Sequence, residues 1–369
     1  MKVAMFLSSH NIGLSTLLTE QAIHFSKLHD LEFVFLTGEN EQEKGLKKKL
    51  IDCHLAYTII NGLDYHQDFW KLVNEFWSFV ATNQPDIVHV QTNWQLIISA
   101  LVKLRSTKKF KIIYTIHGYR HNKKYISYIA LLVIQFLLSI FADHVFAAST
   151  AVYKKFNFIQ KKTSILPLGV DESFFSSDIQ TCVASTPLTI IFPGQFRVGK
   201  NQHLIINAVS QYIAKTKDNT IQVYLPGEGP LKSSYQSLTS QLDLSSNIHF
   251  PGQMSRDEIL SLYKKSNIAI IPSNSETFGH AIAEPFVLGL CVISRRTGIA
   301  EDIIIPSDNG FLFDSDQQIA DILIELYKSQ NTICQTGLNT FKTRDFLRWQ
   351  NIANLYSKTI SKLYKENTL

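Results

Sequence analysis

Short apolar runs alternate with longer amphipathic stretches along the chain, and this alternation predicts an α/β fold. In the first half, the runs predicted as strands are residues 3–7, 31–36, 87–90, 112–116 and 145–147. The helical periodicity between them predicts helices at 16–26, 69–81, 95–105 and 129–141. Uninterrupted apolar strands separated by helices are typical of a parallel sheet covered on both faces.

The pattern begins again after a polar stretch at 176–187. Further strands are predicted at 188–192, 221–225, 248–250, 268–271 and 292–294. A chain of 369 residues also exceeds the size at which a single core usually stops growing. We therefore expect two doubly wound domains that meet near residues 170–187, with their chemistry in the loops after the strands.

The segment 273–298 carries the strongest chemical signal. Glu276 falls in the loop after a predicted strand, and Glu284 lies eight residues later in a helical pattern. Gly279 between them allows close backbone approach, and the first N–H groups of a helix favour an anion. Two isolated carboxylates at this spacing are usually only solvated charges. Here the arrangement suits a sugar, a diphosphate and a ribose in a row.

Together with Gly289, the Gly298-Ile-Ala-Glu301 step and Asn309-Gly310, this segment resembles the donor-binding signature of retaining glycosyltransferase family 4. The resemblance implies a GT-B fold, with two Rossmann-like parallel-sheet domains facing across a cleft. The first domain, 1–172, would bind the acceptor, and the second, 173–349, the nucleotide-sugar donor. Phe346–Trp349 and Tyr356 look like the family's last aromatic-rich helices, so helix 350–369 is expected to return to the first domain.

Other loops after predicted strands carry further residues of this resemblance. His117-Gly118 matches a His-Gly step at the end of a strand, and Lys200 matches the family lysine. The arginine usually found directly after Gly194 is absent: Gln195 stands there, and Arg197 comes two residues later. A cationic side chain in this loop can neutralise a departing diphosphate.

The resemblance assigns a role to each candidate residue. His117, Glu276, Lys200 and Arg197 form the catalytic set, with Glu276 and His117 at the donor sugar and Lys200 and Arg197 at the diphosphate. Glu284 would hold the ribose hydroxyls. Backbone groups that approach the donor phosphates are expected at Gly13, Gly194, Thr277, Phe278, Gly279 and His280.

Other chemistries fit the chain less well. Gly227-Glu-Gly229 resembles the start of a dinucleotide fingerprint, but Pro230 follows and no third glycine arrives. Asp314 and Asp316 form an Asp-x-Asp pair like that of metal-dependent glycosyltransferases with a single nucleotide-binding domain. The pair comes late in the chain, where a solvated turn is favoured. No cluster has metal-ligand spacing, so neither a metal nor a cofactor is expected beside the donor. The rival functions are a sugar-nucleotide epimerase of the same fold and a non-catalytic scaffold.

Charge and cysteine usage indicate partners and location. Residues 1–162 hold 19 Lys and Arg against 12 Asp and Glu, whereas the remainder has a net charge of −2. The basic groups 47–49, 103–111 and 120–124 accompany an apolar helical stretch at 126–142, which suits an anionic membrane better than nucleic acid. Scattered cysteines favour a reducing cytoplasm. We expect a cytoplasmic protein, peripheral on the inner face of the cell membrane, with a glycan or lipid-linked acceptor.

Overall fold

The computed structural model describes residues 1–7, 12–37, 44–60, 69–117, 124–175 and 187–365. The chain divides into two compact units, Met1–Gly169 with Trp349–Leu369, and Val170–Arg348. Among the described residues, each unit contains one parallel sheet covered by helices. The alternation of apolar runs and helical stretches thus predicted the α/β class of both units.

The first unit contains a seven-stranded sheet within the described residues. Its strands are β1 (Lys2–Phe6), β2 (Glu32–Thr37), β3 (Tyr57–Ile59), β4 (Ile87–Val90), β5 (Lys111–Ile116), β6 (His144–Ala147) and β7 (Thr163–Ile165). Its helices before residue 169 are α1 (Ile12–Phe25), α2 (Lys44–Asp52), α3 (Phe69–Asn83), α4 (Asn93–Arg105), α5 (Lys124–Phe141) and α6 (Thr150–Tyr153).

The strand order β3-β2-β1-β4-β5-β6-β7 reverses direction between β1 and β4. Right-handed crossovers therefore place α1 and α2 on one face of the sheet and α3, α4 and α5 on the other. Val88 and Val90 of β4 face the second group of helices and belong to its apolar core. The short edge strands β3 and β7 are only partly buried, which is why no apolar run predicted them.

The second unit has the same winding, in the order β10-β9-β8-β11-β12-β13. Its strands are β8 (Thr189–Ile191), β9 (Gln222–Tyr224), β10 (Ile248–His249), β11 (Ile268–Ile271), β12 (Cys291–Arg295) and β13 (Phe311–Phe313). Its helices are α7 (Gln202–Thr216), α8 (Lys232–Gln241), α9 (Arg256–Lys264), α10 (His280–Leu288), α11 (Ala300–Ile303), α12 (Gln317–Lys328) and α13 (Gln330–Phe341).

The last helix, α14 (Trp349–Lys365), belongs to the first unit. Its Tyr356 is fully buried, with its ring 4.5 Å from that of Phe25 and its hydroxyl 3.2 Å from Nδ1 of His89. A Cβ on Gly169 would lie 2.2 Å from the Trp349 ring, so a glycine is required where the helix begins. Aromatic packing of this kind covers the α1 face of the sheet.

Candidate active site

Two loops of the second unit follow the strands on either side of the point where the strand order reverses, β8 and β11. Such a switch point is where open α/β sheets bind their ligands. Nζ of Lys200, from the first loop, lies 2.5 Å from Oε1 of Glu276, from the second. The two side chains are only 15% and 14% exposed. Two candidate residues 76 positions apart in sequence thus form one ion pair.

Asparagine contacts join these two loops directly. Asn201 adopts a left-handed conformation (φ 58°), and its Nδ2 donates to the Pro272 carbonyl at 3.0 Å and to Oδ1 of Asn274 at 2.7 Å. The Asn274 N–H in turn donates to the Gly199 carbonyl at 2.8 Å. These bonds fix the backbone on both sides of the Lys200–Glu276 pair. Sequence reasoning did not single out either asparagine.

Glu276 is also held by the loop that follows β12. Its backbone N–H donates to Oγ1 of Thr297 at 2.7 Å. Gly298 is needed here, because a Cβ on it would lie 2.2 Å from the Phe278 carbonyl and 2.9 Å from Cβ of Glu276. The glycine that carried the family resemblance therefore permits close packing behind Glu276.

Helix α10 begins directly after this loop. Its N-cap, Gly279, has a φ of +93°, and no side chain of the described residues caps it. Phe278 is buried and anchors the turn, with its ring 5.0 Å from that of His280. The first N–H groups of α10 and its dipole therefore favour an anion at this end of the helix.

A cavity of about 410 Å³ lies beside α10. Of the candidate residues, Gly194, His280 and Glu284 line it, whereas Lys200, Arg197 and Glu276 do not. Its other lining residues include Gln195, Gly227, Glu228, Met254, Ile259 and Tyr263. The described part of the second unit therefore separates these candidates into an open pocket and an ion pair outside its lining.

The Glu284 carboxyl has an unusual electrostatic environment. Burial raises its pKa to about 7, against the opposing effects of the Arg256 cation and the Tyr263 hydroxyl. Tyr263 lies beside the carboxylate, although within the described residues its hydroxyl has no aligned hydrogen-bond partner. Arg256 forms an ion pair with Asp171 at 3.2 Å. Glu284 is therefore a mostly buried acceptor that hydroxyl donors of a ligand would stabilise in its ionised form.

Two glycines let the loops that border the cavity stack against each other. Gly227 has a φ of +142°, and a Cβ there would lie 2.1 Å from the Gly194 carbonyl. The Gly194 N–H donates to the Pro226 carbonyl at 2.9 Å, and the Phe196 N–H to the Glu228 carbonyl at 3.0 Å. Gly227 and Glu228 are thus part of the pocket wall, a role that the comparison of this segment with a dinucleotide fingerprint missed.

Arg197 occupies an exposed turn between Gly194 and Lys200. Its carbonyl accepts from the Lys200 N–H at 3.1 Å, so its backbone helps to orient the lysine. Its guanidinium has no ion-pair partner within the described part of the chain. Gln195, in the position of the family arginine, lines the cavity and brings no charge to it.

The first unit presents a different set of groups after its strands. Nε2 of His117, directly after β5, lies 2.6 Å from Oε1 of Gln91, directly after β4. Burial lowers the pKa of His117 to about 4, which makes the ring neutral at pH 7. Gln91, which sequence reasoning missed, has a buried Nε2 without a partner among the described residues. Gly13 lies in the first turn of α1, whereas a preceding loop had been expected.

Asp314 and Asp316 are engaged in surface ion pairs. Arg296 contacts Asp314 at 3.2 Å, and Arg295 contacts Asp316 at 2.6 Å. No group of three His, Cys, Asp or Glu residues in the described ranges could hold a metal ion.

Two family models match the chain in succession. The model for Glycosyltransferase Family 4 matches residues 12–174, and that for Glycosyl transferases group 1 matches residues 177–342. The chain belongs to the family 4, group 1 type of glycosyltransferases, as its motifs indicated.

Known relatives and structures are similar to this chain at low identity. D-inositol 3-phosphate glycosyltransferase of Corynebacterium efficiens is 24% identical over 185 residues, 48% of this chain and 43% of the relative. Putative glycosyltransferase EpsD of Bacillus subtilis is 22% identical over 63% of this chain and 64% of its own. The chain thus spans less than half of the first of these relatives.

The crystal structure of Anabaena HepE in complex with UDP superimposes with a TM-score of 0.79, at 18% identity over 98% of this chain and 100% of that one. This similarity confirms the predicted GT-B class, two Rossmann-like units built on parallel sheets.

Proposed function

We propose that the protein transfers a sugar from a nucleotide-diphosphate sugar to a hydroxyl acceptor, with retention of configuration at the sugar carbon. The Lys200–Glu276 pair beside the start of α10 carries this proposal. An ammonium group and helix N–H groups at one place suit a leaving diphosphate, whose negative charge increases as the sugar departs.

Each group has a distinct part in this reaction. Lys200 stabilises the leaving diphosphate, and the N–H groups at the start of α10 bind its distal phosphate. Glu276 holds the Lys200 ammonium in the free protein and accepts bonds from the donor sugar when the diphosphate takes its place. The neutral His117 ring is assigned to the same sugar as a hydrogen-bond partner.

Glu284 and its cavity suit the nucleoside. An ionised carboxylate in a cavity lined by Gly194 and Tyr263 accepts bonds from a ribose diol. The cavity, about 410 Å³ in volume, lies within the range typical of small-molecule sites. Because HepE was crystallised with UDP, UDP-sugars are the first donors to test.

The location and biological role are part of the proposal. We place the protein on the inner face of the cell membrane, in the assembly of a polysaccharide, lipopolysaccharide or glycolipid with a glycan or lipid-linked acceptor. No helix in the described ranges is long and apolar enough to cross a bilayer. Lys47–Lys49 lie on α2, which packs against α1, whereas α5 packs against α4. The membrane surface therefore involves α5 and its neighbours without α2.

Incubation with a panel of nucleotide sugars tests the function. Slow release of the nucleotide diphosphate from one donor, faster with acceptor, is the expected result. Interconversion of the sugar without release would support the epimerase, and failure to bind any nucleotide sugar would support the scaffold. EDTA should leave the release largely intact, because Lys200 and the α10 N–H groups replace a metal. Loss of the release with EDTA and its rescue by manganese would instead support a metal site at Asp314 and Asp316.

A further inference from the structure

A second cavity, of about 290 Å³, lies in the first unit. Its lining includes Ile87, Lys111 and His144, the first residues of β4, β5 and β6. The cavity is therefore at the amino end of these strands. Gln91 and His117, by contrast, follow the carboxyl ends of β4 and β5, at the opposite edge of the sheet.

Positive charge exceeds negative charge around this cavity. Among the described lining residues Asp143 is the only carboxylate, and Lys103 contacts it at 2.6 Å and Lys111 at 3.7 Å. The lining itself contains Lys111 and a second lysine, Lys162, which donates to the Ser139 and Ala142 carbonyls, each at 2.7 Å. Burial lowers the pKa of His144 to about 4, so this ring is neutral at pH 7. Three ammonium groups thus surround one carboxylate.

An exposed apolar stripe on α5 ends at the same cavity. Val133, Phe136 and Ile140 follow each other at helical spacing and are 51%, 64% and 55% exposed. Ile140 itself lines the cavity, as do Leu363 and Tyr364 from the end of α14. Large apolar side chains along one helix face indicate a binding surface more often than a solvated one.

We infer that the cavity binds the anionic headgroup of a membrane phospholipid, and that the α5 stripe enters the acyl region beside it. A lipid phosphate matches the excess charge of Lys111 and Lys162, while Ile140 and Leu363 suit the first carbons of an acyl chain. The inference rests on the proposed place of the protein at an anionic membrane and not on the sugar transfer. It assigns membrane contact to the amino edge of the sheet.

Vesicle co-sedimentation with the whole chain tests this site. The protein should bind vesicles of phosphatidylcholine mixed with phosphatidylglycerol and remain in the supernatant with phosphatidylcholine alone. Lys111→Gln should weaken the partition roughly fivefold, the effect of one basic residue near an anionic surface. Phe136→Ser should weaken it on the order of tenfold, because it removes an exposed aromatic ring from the stripe.

Matched substitutions in the second unit provide the controls. Lys265→Gln removes an exposed charge, and Ile305→Ser removes a side chain that is 58% exposed. Both should bind vesicles as the wild type does. Binding of Lys111→Gln and Phe136→Ser to vesicles at the wild-type level would overturn the inference. Competition by inorganic phosphate as strong as that by a short-chain phosphatidylglycerol would also overturn it.

Two further measurements separate this inference from its alternatives. Sedimentation velocity of wild type and Phe136→Ser should give the same oligomeric state. Self-association that Phe136→Ser abolishes would show that the stripe contacts a second copy and would overturn the lipid site. Donor hydrolysis in solution should be unchanged in both variants, so loss of lipid binding and failure of the proposed sugar transfer are distinguishable.

Discussion

The two units share one winding and differ in the chemistry of their strand ends. The first unit has 22 Lys and Arg against 13 Asp and Glu, a net charge of +9, whereas the second has 14 against 18, a net charge of −4. At its strand ends the first unit presents the neutral pair Gln91 and His117, and the second presents the charged pair Lys200 and Glu276. The winding supplies the position of a site, and the loops supply its chemistry.

Buried ionisable groups extend this contrast. Burial lowers the pKa of His89 in the first unit to about 3, with smaller contributions from His117 and His144. The Glu284 carboxyl in the second unit has its pKa raised to about 7. In the first unit, folding therefore disfavours protonated histidines. In the second unit, folding favours the protonated form of Glu284. Burial also lowers the pKa of His280 in the second unit, to about 4, which partly offsets the effect of Glu284. The two units should therefore differ in their response to acid.

Acidification should destabilise the first unit more than the second, and this is the largest effect we expect. Between pH 6.5 and the lowered pKa values, the unfolded chain binds more protons than the folded one, so stability falls as the pH falls. His89 and His144 together should cost on the order of 3 kcal/mol at about pH 5. In the second unit, protonation of Glu284 opposes any loss at His280.

Hydrogen exchange at about pH 5 and about pH 8, corrected for intrinsic rates, measures each unit separately. Protection should fall in β4–β6 and persist in β8–β11. His89→Gln should flatten the pH dependence of the first unit, even if it costs stability at neutral pH. An equal loss of protection in both units would contradict the comparison.

Removal of the charge at the second unit's strand ends should have the largest effect on activity. Lys200→Ala should lower donor turnover by about two orders of magnitude or more, the usual loss for a preorganised electrostatic contact. Lys215→Ala, which removes an exposed lysine paired with Asp321 on the same unit, is the control and should keep wild-type turnover. Near wild-type rates for Lys200→Ala would refute its assignment to the leaving group.

The stacked loops give a sharper test of how the second unit forms its pocket. Gly227→Ala places a methyl group 2.1 Å from the Gly194 carbonyl, so the two loops must separate. Nucleotide affinity should fall about tenfold or more, since roughly 1.4 kcal/mol of lost contact has that effect. Gly199→Ala, also at a positive φ (+91°) but with nothing within 4 Å of its Cβ, isolates the backbone strain. Titration calorimetry with the nucleotide should show the larger loss for Gly227→Ala.

The difference between Gly227 and Gly199 shows which features of the site could be predicted from the sequence and which could not. Glu276 and Lys200 were singled out by the family resemblance, and their proximity was expected because each follows an apolar strand, and strand ends beside a switch point meet in space. The stacking of Gly227 on Gly194 was not, because contacts between loops depend on three-dimensional packing that no periodicity records. The same holds for Asn201 and Thr297, whose side chains bind backbone groups distant in sequence.

The strands show the same limit. The central strands are fully buried on both faces and appear in the sequence as apolar runs. The edge strands β3 and β7 have three partly exposed residues each and produce no such run. The short strand β13 (Phe311–Phe313) was likewise missed, because three residues between polar turns do not establish a period.

The smallest expected effect concerns Glu284, where stability and binding should change in opposite directions. Its pKa, about 7 in the folded protein against an ordinary value of 4.5, means that stability falls as the pH rises from 4.5 to 7 and stays low above. Glu284→Gln removes the buried charge and should therefore raise the free energy of unfolding of the second unit by about 1–2 kcal/mol at about pH 8. At about pH 5 the wild-type carboxyl is already neutral, and the two proteins should unfold alike.

Nucleotide affinity should fall in the same variant, because an amide accepts weaker bonds from a ribose diol than a carboxylate does. Denaturant unfolding and calorimetry at both pH values measure the two effects, with Glu325→Gln on the exposed face of α12 as the control. A variant that is no more stable than wild type at about pH 8 would show that Arg256 keeps the carboxylate well stabilised. A variant with unchanged affinity would place the ribose elsewhere. The proposed assignment requires that Glu284 reduces the stability of the second unit and strengthens its binding of the donor.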